Sequence, residues 1–149
     1  MRPQHKILLR AAISGLALLV TLAIAAMFLF GSRHDVVQVS LERTSEGKAV
    51  LHLSGNFAQA ASISLTVFPP SGATFSRLLA GSNPDSVLRA VRLNSKTIIL
   101  TVTSGSLLPD DLGGLEFAVG GKVQAGDFEV TCEWAASLDG NETVVDVGR

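Results

Sequence analysis

Residues 11–30 form a run of 20 without a charged side chain, in which only Ser14, Gly15 and Thr21 are not apolar. As a helix rising about 1.5 Å per residue, such a run covers about 30 Å, the thickness of a bilayer's hydrocarbon core. Its flank orients it. Arg2, Lys6 and Arg10 precede the run with no acidic residue among them, so the N-terminus is expected in the cytoplasm and everything after Phe30 outside. A cleaved secretory signal also begins with basic residues, but its apolar region is roughly 7–15 residues long and ends on small residues. Ala23 and Ala25 could offer such a site, yet cleavage there would leave Met27, Phe28, Leu29 and Phe30 at the mature terminus. Three readings of the run stay open: a retained transmembrane anchor, a cleaved signal with secretion, and a buried core helix. The sequence favours the anchor, with a basic stub over residues 1–10, a span over 11–30, a linker over 31–35 and an extracytoplasmic domain over 36–149.

Composition follows the same division. The whole chain is 47% apolar with a mean hydropathy of +0.39, but beyond residue 30 the apolar share falls to about two-fifths, ordinary for a soluble domain. All 13 acidic side chains lie there, against nine of the basic ones. A mildly acidic domain is poorly suited to nucleic acid or to anionic lipid, so no nucleic-acid partner is expected. One cysteine cannot close an internal disulfide, and a chain of 149 residues has room for one core rather than a multi-domain enzyme.

From Val36 onward apolar residues recur with period two, broken about every ten residues by Gly, Ser, Asn, Asp and Pro, which is the pattern of an all-β domain. Strands are expected over residues 36–43, 48–53, 62–68, 87–93, 96–103, 115–119, 128–135 and 143–147. Ala49, Leu51 and Leu53 share one face of the second, Ile63, Leu65 and Val67 one face of the third, and Ile98, Leu100 and Val102 one face of the fifth. Asn94 and Ser95 read as a hairpin turn. Phe75, Leu78 and Leu79 form an apolar patch of undecided type, and residues 108–114 read as a loop. Along residues 128–135 the alternation points Phe128, Val130, Cys132 and Trp134 inward and Glu129, Thr131 and Glu133 outward. Eight or nine strands without an amphipathic helix predict a β-sandwich of jelly-roll type.

Several stretches carry a resemblance. Gly114-Leu115-Glu116-Phe117-Ala118-Val119 is followed by Ala125-Gly126-Asp127-Phe128-Glu129-Val130, and then by Ser137-Leu138-Asp139-Gly140-Asn141-Glu142. Upstream stand Ile63-Ser64-Leu65-Thr66-Val67-Phe68-Pro69-Pro70 and Leu78-Leu79-Ala80-Gly81. This succession, spanning residues 36–147, resembles the cohesin-like domains, the β-sandwich family that includes the cellulosomal cohesins and is akin in fold to certain carbohydrate-binding modules. Where that family has Tyr-Asp after the upstream strand, this chain has Phe68-Pro69, and it has no tyrosine at all. The resemblance implies a nine-stranded jelly-roll sandwich whose flat sheet face binds another protein.

No residue constellation points to catalysis or to a cofactor. His52 is the one histidine within the predicted domain, since His5 and His34 flank the apolar run, and it reads as an exposed residue on an alternating strand. Asp110 and Asp111 belong to loop grammar. Asp139, Asn141 and Glu142 supply too few oxygens for calcium, which takes six to eight, and read as a turn; Asn141-Glu142-Thr143 also matches a glycosylation sequon. Cys132, between Val130 and Trp134, is expected as a buried, inert thiol. The candidate partner face is the outward row Glu129, Thr131 and Glu133, joined by Thr97, Thr101 and Thr103 on another strand. A non-catalytic module that binds a protein partner is the expected function. A cell-surface carbohydrate-binding module and a structural subunit of an envelope or secretion assembly are the alternatives. With Trp134 assigned to the inward face, one Trp, no Tyr and 5% aromatics leave little for a sugar to stack on.

Overall fold

Nine strands in two antiparallel-rich sheets account for the regular structure of the described residues, which are residue 21, residues 34–45 and residues 47–148 of a computed structural model. The expected membrane span, apart from Thr21, and the basic stub lie outside those residues. Among the described residues no helix is long and apolar enough to cross a membrane.

The strands are β1 (Asp35–Ser45), β2 (Lys48–Asn56), β3 (Ala60–Phe68), β4 (Ala73–Ala80), β5 (Ser86–Asn94), β6 (Thr97–Ser104), β7 (Asp111–Val119), β8 (Glu129–Ser137) and β9 (Val145–Gly148), with one 3-10 turn at Ala125–Asp127. The first sheet has the order β4-β7-β2-β1-β9 and the second β5-β6-β3-β8. Consecutive strands repeatedly cross between sheets, as a jelly roll requires. β9 lies parallel to β1 but covers only Asp35 to Gln38, so from Val39 to Ser45 that edge of β1 has no neighbouring strand among the described residues. Arg43, in the same alternation as Val37, Val39 and Leu41, donates from its guanidinium to the carbonyl of Gly121 at 2.7 Å.

Alternation explains the core. Leu51 and Leu53 from β2, Ile63, Leu65 and Val67 from β3, and Leu100 and Val102 from β6 are wholly buried between the sheets. Phe117 of β7 is also fully buried, with ring centroids 5.9 Å from Phe75 and 5.0 Å from Phe128. These contacts span both sheets, and His34–Arg149 forms a unit of its own around them. A buried carboxylate fixes where the sandwich starts. Asp35, 2% exposed, accepts hydrogen bonds from the backbone N–H groups of Ala58, Gln59 and Ala60 at 2.7, 3.1 and 2.7 Å, tying the first residue of β1 to the β2–β3 connection. Nothing in the sequence pattern marked it.

Four details differ from the sequence reading. The Phe75, Leu78, Leu79 patch is a strand, β4, whose irregularity between Phe75 and Arg77 hides the period of two by setting Phe75 and Leu78 on one face. The glycine-rich residues 111–114 are strand rather than loop. Gly113 has φ +102°, and a Cβ there would collide with the carbonyl of Leu79, so the glycine serves close strand packing. The β5–β6 turn falls at Ser95 and Lys96, one residue later than expected, because Asn94 pairs with Thr97. The last strand is shorter and later than expected, pairing Val145 to Gly148 with β1.

Candidate functional site

The outer face of the β5-β6-β3-β8 sheet gathers all six residues of the expected partner face. Thr97, Thr101 and Thr103 alternate with the buried Ile98, Leu100 and Val102 on β6. Glu129, Thr131 and Glu133 lie on β8. The two triplets are not neighbours: β3 runs between them and contributes Ser62, Ser64, Thr66 and Phe68 to the same face. Cross-strand register orders the face into rows. Val91, Ile99, Thr66 and Thr131 make one, Arg89, Thr101, Ser64 and Trp134 a second, and Val87, Thr103, Ser62 and Ala136 a third.

Trp134 stands on this face, against the inward assignment. The pairing of β3 with β8 shifts between Ser64 and Leu65: Leu65 pairs with Cys132 and Ser64 with Trp134, leaving Glu133 as an extra residue. A bulge of this kind puts two residues opposite one and reverses the alternation beyond it. Trp134 is therefore 46% exposed, while Ala135 is 1% exposed in the core. The Thr131 hydroxyl donates to Glu133 Oε1 at 2.8 Å, holding the bulged glutamate over the outer face. Cys132 is half-buried rather than buried. Burial pushes its thiol pKa up, against a weaker lowering contact with the Trp134 backbone.

The sequence reading missed most of the apolar content of this face. Phe68, Val87, Val91 and Trp134 are all exposed and Ile99 is half-buried, although Phe68, Val87, Val91 and Ile99 follow from alternation once β5, β6 and β3 are assigned to one sheet. Trp134 could not have been found that way, because the bulge depends on the partner strand.

The remaining singled-out residues have local roles. His52 lies on the outer face of the other sheet with Nε2 3.0 Å from Glu42 Oε2. Asp111 accepts from the N–H groups of Gly113 at 2.9 Å and Ser82 at 3.0 Å, so it orders a strand start. Asp139 accepts from the Ser137 hydroxyl and the Asn141 side chain; the Ser137 hydrogen bond is the main cause holding its carboxyl below the usual range, which burial partly opposes. These are the contacts of a turn. An apolar recess of about 70 Å³ lies beside Val39, Phe128, Val130 and Val147; larger hollows of about 420 Å³ beside Pro69 and Lys96 and about 430 Å³ beside Gln38 and Asp110 are open to solvent. Hydroxyls, one indole and exposed aliphatic groups on a broad sheet suit recognition of a surface.

No protein-family model matches the sequence, and no curated protein matches it. Solved structures do. A cohesin module from a family 33 glycoside hydrolase of Clostridium perfringens is 11% identical and overlays with a TM-score of 0.49, covering 77% of this chain and 97% of its own. A non-cellulosomal cohesin from the hyperthermophilic archaeon Archaeoglobus fulgidus is 14% identical and overlays with a TM-score of 0.54, covering 76% of this chain and 86% of its own. The sandwich is thus similar in fold to a cohesin module, in agreement with the resemblance drawn from its strand and turn motifs.

Proposed function

We propose that this chain is a membrane-anchored, non-catalytic recognition module that binds another protein through the outer face of its β5-β6-β3-β8 sheet, on the extracytoplasmic side. The observation that carries the reading is the bulge at Glu133, which turns Trp134 out onto a face that also exposes Phe68 and Val91 and leaves Ile99 half-buried. Exposed aromatic side chains are what protein interfaces are enriched in. The cohesin-like fold supports a binding role, and the uncharged run over residues 11–30 with its basic flank supports the anchor and its orientation. Tethering would raise the effective concentration of the face and allow a weak contact to suffice.

Trp134 also favours a second reading. Its ring stands beside the hydroxyls of Ser64 and Thr131, a combination that can stack on and hydrogen-bond a sugar, so a surface carbohydrate-binding module is the runner-up. Photo-crosslinking from position 101 in the full-length chain in its native membrane separates the two. Crosslinks to a protein that vanish in Ile99→Arg support the proposal. Retention on polysaccharide columns that is lost in Trp134→Ala, with no protein crosslink, favours the second reading. The anchor has its own check: a mature N-terminus at residues 26–32, or release by alkaline carbonate, would overturn it.

A further inference from the structure

The outer face of the four-stranded sheet is polarised across its strands. Its β5 edge carries Arg89, which makes no ion pair or hydrogen bond among the described residues. Its β8 edge carries Glu129 and Glu133. Strands spaced about 4.8 Å apart put these edges about 14 Å from each other, too far for the two signs to meet within one molecule.

We propose that this face docks on the same face of a second copy of the chain, about a two-fold axis running along the strands between β6 and β3. The proposal rests on the reading of the face as a protein-binding surface and names one partner for it. A rotation about that axis keeps each cross-strand row opposite itself and exchanges its ends, so β5 lies over β8 of the other copy and β6 over β3. Arg89 then meets both Glu133 and the Trp134 ring of the second copy, an ion pair beside a cation–π contact, and does so twice by symmetry. In the adjacent row Val91 lies over Thr131 and Ile99 over Thr66. A two-fold set across the strands would instead lay β8 on β8 and bring carboxylate against carboxylate, which like-charge repulsion disfavours. Charge therefore selects the orientation, and the twist of two facing sheets accommodates it at an angle of about 30°.

The size of the face sets the strength. Nine residues of β3 extend about 30 Å and four strands span about 19 Å, so each copy offers roughly 550 Å² of projected area. Two copies bury about 1,100 Å², just under the range of stable interfaces, which makes the dimer weak, with a dissociation constant on the order of 10 μM or higher.

Sedimentation equilibrium tests this on residues 34–149, which contain the whole buried core, over about 10 μM to 1 mM. The wild type is expected to pass from monomer to dimer across that range. Arg89→Glu and Glu133→Arg, each verified as folded by circular dichroism, should each weaken association at least tenfold. Their equimolar mixture should recover it, because every cross-contact between those two variants joins opposite charges. A wild type that stays monomeric at 1 mM, single variants that dimerise as the wild type does, or a mixture that stays monomeric would each overturn the proposal. A monomeric wild type removes self-docking alone; loss of a separate partner's crosslink in Ile99→Arg decides whether the face binds protein at all.

Discussion

The two outer faces of the sandwich are built by the same alternation and treat their charges in opposite ways. On the β4-β7-β2-β1-β9 side two of the carboxylates are paired within the molecule. Arg77 holds Glu116 through two hydrogen bonds of 3.2 and 3.1 Å, His52 stands beside Glu42, and Val50, between Glu116 and Glu42 in register, is 2% exposed beneath them. On the β5-β6-β3-β8 side Phe68, Val87, Val91 and Trp134 are exposed and Arg89 has no counter-ion among the described residues. One face pairs Glu116 and Glu42 with its own Arg77 and His52; the other leaves apolar groups and the Arg89 guanidinium exposed. A docking surface in a sandwich is recognised less by which residues it holds than by which of their interactions remain unmade.

The largest expected effect removes the core on which both faces depend. Phe117→Ala, at a fully buried position flanked by two rings, should cost about 3–5 kcal/mol in denaturant unfolding and erase the distinction between faces by loosening both. Asp35→Ala follows at about 3 kcal/mol, because three backbone donors lose their shared acceptor; a loss under about 1 kcal/mol would show that water replaces the carboxylate.

The next prediction separates the faces by pH. The Arg77 hydrogen bonds hold the Glu116 carboxyl below its ordinary value of 4.5, helped by the charges of Arg77 and Lys48 and opposed by burial. A carboxyl lowered in the folded state stabilises above its unfolded pKa and loses that contribution as pH falls through the folded one. Glu116→Gln should therefore flatten the loss of stability between about pH 5 and pH 2 relative to wild type. Asp139, lowered by Ser137, titrates in both proteins, so the difference between them isolates Glu116. An unchanged slope would mean that the satisfied face is not part of the fold's energetics.

The smallest effects belong to the open face. Arg89→Ala and Trp134→Ala should each change stability by less than about 1 kcal/mol, as surface substitutions do, and the emission of Trp134, the chain's one tryptophan, should be red-shifted and quenched by iodide. A blue-shifted, protected indole in the dilute monomer would return Trp134 to the core and remove the contrast between the faces.

Most of the sandwich was legible because period two survives wherever strands are regular: Ala49, Leu51 and Leu53, or Ile98, Leu100 and Val102, announce their buried face unaided. The signal failed where a residue's direction depends on its neighbour strand. At Glu133 and between Phe75 and Arg77 an extra residue resets the alternation, and no single-strand pattern carries that information. The candidate face was half legible for the same reason. Its hydroxyls and carboxylates were read from β6 and β8, whereas the apolar residues that turn it into a surface emerged only when β3 and β5 were set beside them. Asp35 was invisible because its three partners are more than 20 residues away in sequence.

The short reach of β9 has a consequence for crowding. Beyond Gln38 the edge of β1 offers backbone groups with no neighbouring strand among the described residues, and an edge of that length invites strand-to-strand aggregation. Two features blunt it: the pairing with β2 shifts between Arg43 and Ser45, and Arg43, its guanidinium held by the Gly121 carbonyl, puts a charge on the edge strand. A charged side chain and a local irregularity are the usual guards of such edges. An edge guarded in this way resists the strand-to-strand pairing that crowding would otherwise favour.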